Sequence, residues 1–234
     1  MKLLCLTPIR NGEPFMDFFL SNISKFAEGL IVLDDGSNDR TVEILQAHSL
    51  VKEIIRNPVR DTYYGWDDLA NRNVLLDCAA KYHPEWILFL DVDELIDEND
   101  IHLFTHSNLD ELNKDHAYGF RLYRMVNDLE HYDKSALWVY RMFAYRQGQQ
   151  IVAGRLHFEP IPGDISMENW KQSSARIKHL SSLTEVFRSK RYGKYQEADP
   201  NLEFQASYEN LLDEPKNIKK WEFNRNKSFI LSEP

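Results

Sequence analysis

Short, wholly apolar runs alternate along the first hundred residues with longer stretches in which apolar residues recur at helical spacing. Leu3-Leu4-Cys5-Leu6, Leu30-Ile31-Val32-Leu33, Val51 to Arg56 and Trp86-Ile87-Leu88-Phe89-Leu90 are the runs, of the kind that strands buried on both faces require. Between them, Pro14 to Glu28 carries Phe15, Phe18, Phe19, Ile23 and Phe26 on one helical face, and Gly29 stops it. Thr41 to His48 reads as a second helix with Asn38 or Asp39 as its cap. Trp66 to Tyr82 reads as a long third helix, closed by His83-Pro84. Strands joined by helices of this length imply a parallel sheet with right-handed crossovers.

From Ala117 onward the period changes. Tyr118, Phe120 and Leu122 alternate with polar or small residues, as do Val139, Arg141 and Phe143, so strands with one wetter face extend the sheet in mixed orientation. Thr184 to Tyr195 and Leu202 to Leu212 read as helices, and the last twenty residues, polar on balance, read as a loosely attached tail. There is no internal repeat, low-complexity segment or linker, so a single α/β domain over 1–234 is expected.

Composition narrows the class. A chain of 234 residues can bury a full core without a disulfide or metal staple. Cys5 and Cys78 sit among apolar neighbours and read as buried free thiols of a reducing compartment. The net charge of −9, with no long Lys/Arg run, excludes a nucleic-acid footprint. Arg188, Lys190, Arg191 and Lys194 form the best basic cluster. It reads as a solvated helix face, with phosphates or an anionic membrane surface as the alternatives. Aromatics, densest in the second half, read as core and groove walls, with sugar stacking as the alternative. Lys2 precedes only four apolar residues, and no apolar stretch is long enough to span a bilayer. A cytoplasmic protein is expected, with only a peripheral contact at the inner face of a membrane left open.

In an open α/β sheet, ligands bind beyond the carboxyl ends of the parallel strands. Strand one ends at Thr7-Pro8-Ile9-Arg10-Asn11, strand two at Asp34-Asp35 and strand four at Asp91-Val92-Asp93. Carboxylates crowded at one edge repel one another unless a cation or donor group sits among them. A divalent metal carrying a diphosphate suits such hard oxygen ligands, with Mg²⁺ or Mn²⁺ completing its shell from phosphate and water. The bland readings are a solvated acidic turn at Asp91-Val92-Asp93 and an ordinary capped turn at Asp34-Asp35-Gly36-Ser37.

Four blocks carry a resemblance: Thr7 to Glu13, Ile31 to Thr41 with Asp34-Asp35-Gly36-Ser37-Asn38-Asp39-Arg40-Thr41, Ala70-Asn71-Arg72-Asn73, and Trp86 to Glu94. In order and spacing they resemble family 2 glycosyltransferases of the GT-A fold, a Rossmann-like mixed, mostly parallel sheet flanked by helices. The resemblance covers about the first hundred residues and thins beyond Asp100. It implies a nucleotide-sugar-binding half over 1–100, an acceptor-binding half over 101–215 and a tail over 216–234. The implied donor is a nucleotide-diphosphate sugar, with uridine as the expected nucleoside. A carbohydrate or lipid-linked acceptor is implied, in surface polysaccharide or lipopolysaccharide assembly.

Position by position, the resemblance implies that Thr7, Pro8, Arg10 and Asn11 line the base and ribose. Asp35 would accept a hydrogen bond from the base, with Asp34 beside it, and Arg72 would reach the nucleotide. Asp91, nearer the ribose, and Asp93, on the metal, would form the metal motif, joined by His179 as a late ligand. The resemblance also implies inversion at the anomeric carbon, which needs a base on the acceptor side. Glu159 and His157, from Leu156-His157-Phe158-Glu159, are the first candidates, and on a strand both would face one side. Asp128 and Asp164 are weaker ones. Arg141 and Arg155 read as phosphate or acceptor contacts, or as exposed arginines. A phosphohydrolase of the haloacid-dehalogenase type, with Asp91 as nucleophile, is the rival enzyme. Against it, Glu94-Leu95 is the wrong sequel and the motif lies on the fourth strand. A sugar nucleotidyltransferase would need a Gly-rich loop where Gly12 stands alone. A non-catalytic nucleotide-sugar-binding module is the remaining alternative.

Overall fold

A computed structural model describes residues 1–222 and 228–231, apart from the side chains of Lys134 and Ser135. The first half is β1 (Leu3–Ile9), α1 (Met16–Ile23), β2 (Gly29–Asp34), α2 (Thr41–Gln46), β3 (Val51–Arg56), α3 (Asp68–Ala79), β4 (Trp86–Phe89) and β5 (Glu94–Ile96). The second half is α4 (His106–Asp110), β6 (Ala117–Met125), β7 (His131–Ala144), β8 (Trp170–His179), α5 (Glu185–Ala198) and β9 (Ile218–Lys220). The strands form one mixed sheet in the order β3-β2-β1-β4-β7-β6-β8-β5, with β9 on β7. β1 to β4 run parallel, as the alternation of apolar runs and helices predicts. The turn to antiparallel pairing comes where β7 joins β4.

Period-two geometry explains why the first strands are apolar on both faces. Leu3, Cys5, Trp86 and Leu88 enter one core layer with Phe19, Leu20 and Ile23 of α1. Leu4, Leu6, Ile87 and Phe89 enter the other with Leu75 and Leu76 of α3. Both cysteines are buried and free.

The topology sets the site. β4 and β5 are separated only by Leu90 to Asp93, yet they lie at distant places in the strand order, so the sheet curls until its last strand returns to the tip of β4. β5 is held there from two sides. Glu94 pairs opposite His179 of β8. On the other side the buried Asn22 amide of α1 both donates to the Ile96 carbonyl (2.8 Å) and accepts from its N–H (2.9 Å).

Two expected elements are absent among the described residues. Within Leu202 to Leu212 only Glu209–Leu211 forms a helical turn, of 3-10 type. The buried Asp199 carboxylate accepts the N–H groups of Glu203 (2.7 Å) and Phe204 (3.1 Å), a local alternative to helical bonding. The segment around His157 is a loop, not a strand, and His157 itself has a left-handed φ of 57°. The region read as a tail contributes to the core: Trp221 and Phe229 are buried, and β9 pairs with β7. No helix among the described residues is long and apolar enough to cross a membrane.

Candidate functional site

The carboxyl ends of β1, β2 and β4 open on one cleft of about 890 Å³, lined by Pro8, Arg10, Asn11, Asp35, Asp91 and Asp93 among others. The turn after β2 needs glycine: Gly36 has φ +81°, and a Cβ there would stand 2.4 Å from the Pro58 carbonyl oxygen. Asn11, also left-handed at φ 52°, ties two strand tips together. Its side-chain oxygen accepts from the Asn38 N–H (2.9 Å), and its own N–H donates to Ser37 Oγ (2.8 Å). Arg10 donates to the Thr62 carbonyl (2.6 Å) and lies over the Tyr63 ring at 4.1 Å.

Thr7 and Asp34 stand behind this wall, contrary to expectation. Thr7 is still a strand residue, opposite Val32 and fully buried. Asp34 is also buried, with Oδ1 accepting the Ser37 N–H (3.1 Å), so its carboxylate stabilises the turn. Asp35 does reach the cleft. Asn57 donates to it (2.6 Å), Arg60 ion-pairs with it, and the other amide hydrogen of Asn57 goes to Asn71 Oδ1 (3.1 Å). Neither Asn57 nor Arg60 falls in a motif, which is why sequence reasoning passed over them.

At the β4 tip the two aspartates have different partners. The buried Arg72 guanidinium bridges Asp68 (2.9 Å) and Asp91 (2.7 Å) and lies over the Phe89 ring at 5.3 Å. Arg141, expected as an exposed or ligand-contacting residue, pairs inside the fold with Glu94 (3.0 Å) and reaches Asp91 at 3.9 Å. Burial alone would raise the Asp91 carboxyl; the charges of Arg72 and Arg141 outweigh it and hold Asp91 below the usual carboxylate range. Burial pushes Glu94 up. Asp93 instead faces His179, Oδ2 to Nε2 3.2 Å, and the Ser181 hydroxyl lies 3.0 Å from the same nitrogen. Burial would raise Asp93 too, but the His179 charge and hydrogen bond bring it below its ordinary value.

Asp91 and Asp93 thus face different partners, the Arg72 guanidinium and the His179 imidazole. No group of three or more His, Cys, Asp or Glu side chains among the described residues is arranged to hold a metal, and with Asp91 on Arg72 the pair left at this tip is Asp93 and His179. The remaining pair still fits a divalent ion. Octahedral Mg²⁺ with bonds of about 2.0–2.1 Å sets neighbouring donors about 3 Å apart, and Asp93, His179 and Ser181 present oxygen and nitrogen atoms at that separation.

His157 and Glu159 also part company, because the chain between them is not extended. Glu159 turns inward, where Oε2 accepts the Tyr140 N–H (2.6 Å), and burial raises its carboxyl. The cleft wall there is Leu156, His157 and Phe158. Asp128 pairs with His131, and Asp164 pairs with Arg146; neither lines the cleft.

The opposite wall is α5. Lys190, Arg191 and Lys194 all face the cleft, so the basic cluster read as a solvated face has a destination. Lys194 Nζ sits 3.9 Å above the Trp66 ring. Its charge acts on Asp91, Asp93 and His157 alike, which sets these four side chains around one volume.

A sequence model described as glycosyl transferase family 2 matches residues 5–163. An uncharacterized protein of Mycobacterium tuberculosis is 30% identical over 105 residues, 44% of this chain and 26% of that protein. The chain thus spans about a quarter of the length of the curated relatives it matches. Among solved structures, S. aureus TarS is similar at 20% identity and TM-score 0.40, over 54% of this chain and 22% of that one. Glucosyl-3-phosphoglycerate synthase from Mycobacterium tuberculosis, in complex with Mn²⁺, uridine diphosphate and glucosyl-3-phosphoglycerate, is similar at 19% identity and TM-score 0.33, over 53% and 44%. These structural likenesses are distant and carry no weight beside the sequence match. The motifs at the ends of β1, β2 and β4 stand at the tips of neighbouring parallel strands and the family match runs through all three, so the chain belongs to glycosyl transferase family 2.

Proposed function

We propose that this chain moves a sugar from a nucleoside-diphosphate sugar, with uridine as the nucleoside, to a hydroxyl acceptor with inversion at the anomeric carbon. One observation carries the reading: Asp35 at one strand tip and Asp91 and Asp93 at another line a single cleft, facing the cations of α5. Asp35 offers a carboxylate to a donor N–H such as the imide of uracil. Arg10 and Asn11 border the nucleoside, while Lys190, Arg191 and Lys194 meet the diphosphate. Asp93 and His179, with Ser181 beside them, would hold a divalent ion. Bound there, it would offset the negative charge that grows on the departing diphosphate.

His157 serves as the acceptor-side base. It takes the hydroxyl proton as the acceptor oxygen attacks the anomeric carbon and the diphosphate leaves from the opposite face. Glu159 is unsuited, since its carboxylate is engaged by the Tyr140 N–H away from the cleft wall. The phosphohydrolase alternative needs Asp91 as a nucleophile, and a carboxylate held by Arg72 and Arg141 is a poor one. A carbohydrate or lipid-linked acceptor of surface-polysaccharide or lipopolysaccharide assembly is the setting the resemblance implies.

The test is a thermal-shift screen of nucleoside diphosphates and nucleotide sugars, with and without Mn²⁺, on the protein and on Asp93→Ala. A ligand at a hundred times its Kd stabilises by about 2.7 kcal/mol. A uridine diphosphate species should stabilise most, and Asp93→Ala should lose the Mn²⁺-dependent part. Equal shifts in the variant would refute the metal assignment. Phosphate release from simple phosphomonoesters, with no response to nucleotide sugars, would refute the transferase.

A further inference from the structure

His157 is held by more than its own loop. Its Nε2 lies 2.9 Å from the Tyr208 hydroxyl, and that hydroxyl donates to Asp199 Oδ2 at 2.8 Å. Tyr208 and Asp199 are each about 1% exposed, whereas His157 lines the cleft. The three rings pack as a block: Tyr195 and Tyr208 are stacked 5.0 Å apart with planes 4° off parallel, and the imidazole lies 5.0 Å from Tyr195. The residue stands at a left-handed φ of 57°, a conformation that persists where the surroundings fix it.

Proton counting then decides the tautomer. A tyrosine hydroxyl has one hydrogen to donate. Burial would raise Asp199, but the hydrogen bonds from Tyr208 and from the N–H groups of Glu203 and Phe204 outweigh it and keep the carboxyl ionised. A hydrogen bond to an ionised acceptor is the stronger one, so the Tyr208 hydrogen goes to Asp199. The Tyr208 oxygen can then only accept from the imidazole. Nε2 therefore carries the hydrogen and Nδ1 is bare, and Nδ1 has no hydrogen-bond partner among the described residues.

We infer that Tyr208 and Asp199 are positioning residues that fix His157 as the Nε2–H tautomer, presenting Nδ1 to the acceptor hydroxyl. The catalytic half of this inference rests on the transferase reading above; the tautomer does not. In the transfer step the hydroxyl proton goes to Nδ1, Nε2–H stays on Tyr208, and the Tyr208 hydrogen stays on Asp199, so no proton travels along the chain. The charged groups that act on the ring fit this role. Partial burial and the cations Arg191 and Lys194 lower the His157 pKa, opposed by Asp199 and Asp68. The net shift keeps the ring neutral and able to accept a proton near pH 7.

The experiment is a long-range ¹H–¹⁵N correlation spectrum of the full chain labelled at histidine, with His157→Ala identifying the signals. The protein should show protonated Nε2 and bare Nδ1 at residue 157, and Tyr208→Phe, which keeps the ring in its packing, should give a mixture. Asp199→Asn should shift the population the same way. A protonated Nδ1 in the unaltered protein, or a spectrum unchanged by Tyr208→Phe, would overturn the inference whatever the activity. With a nucleotide sugar that proves to be a donor, Tyr208→Phe should lower kcat about 10- to 100-fold, the scale on which orienting partners of ligating histidines act, with KM little altered. A kcat unchanged by Tyr208→Phe would overturn the catalytic half. Wild-type transfer by His157→Ala would overturn the base assignment and leave the tautomer standing.

Discussion

On the strand-tip wall of the cleft, Asp35 and Asp91 each have a guanidinium at close range, Arg60 and Arg72 with Arg141, while Asp93 faces the His179 imidazole. On the α5 wall, Lys190, Arg191 and Lys194 line the same space, and among the described residues none of them pairs with a carboxylate. Lys194 rests on aromatic rings instead. The acidic motif residues are thus largely neutralised within the fold, where they fix strand tips and one another. The helix carries the charge left over for a ligand. A cleft in a chain of net charge −9 can still receive an anion, because local pairing and not the total decides the field at the site.

Arg72→Ala should break the contrast most severely. It leaves Asp68 and Asp91 without their shared cation, and breaking a buried pair of this kind costs about 3 kcal/mol, the lower end of the range because Asp91 is 35% exposed. Urea denaturation should report the loss before any ligand is added, and a midpoint within experimental error of the parent would show that the Asp91 charge is not neutralised as described. Lys194→Ala should do the opposite, leaving the midpoint nearly unchanged while weakening nucleoside diphosphate binding about tenfold, or about 1.4 kcal/mol. Calorimetry with the diphosphate and with the bare nucleoside checks this. Equal weakening of both would mean that Lys194 acts through Trp66 and the nucleoside and not through phosphate.

Glu159→Gln should have the smallest effect. The folded Glu159 carboxyl holds its proton more tightly than the unfolded one because it is buried. Folding then takes up protons as pH rises past the unfolded value of about 4.3, and the residue lowers stability from there upward. The glutamine keeps the acceptor for Tyr140 N–H without that penalty. Its Tm should equal or slightly exceed the parent's at pH 7, with the difference vanishing below about pH 4, and transfer activity should persist. Lost activity with an unchanged Tm would move the base role back to Glu159.

The helix-strand alternation to Leu90 and the placing of two acidic motifs at strand tips were legible because they depend on local periodicity and on a general rule for parallel sheets. Leu202 to Leu212 has a helical pattern yet does not form a helix, because Asp199, which precedes it, takes up its backbone donors. The sequence reading set Asp93 apart from Asp91 only through the family resemblance, not through local pattern. Asp91 and Asp93 are near neighbours with identical side chains, and they differ only in whether Arg72 or His179 stands opposite.

By itself, then, the sequence determined the fold class, the family and the edge of the sheet at which chemistry collects, since each follows from residues close together in the chain. The tertiary structure decided the pairings: Arg141 with Glu94, His179 with Asp93, and Tyr208 between His157 and Asp199. Each joins residues brought together only by the register of a curled sheet or the path of a loop, and neither distance nor direction between such residues is encoded in local pattern.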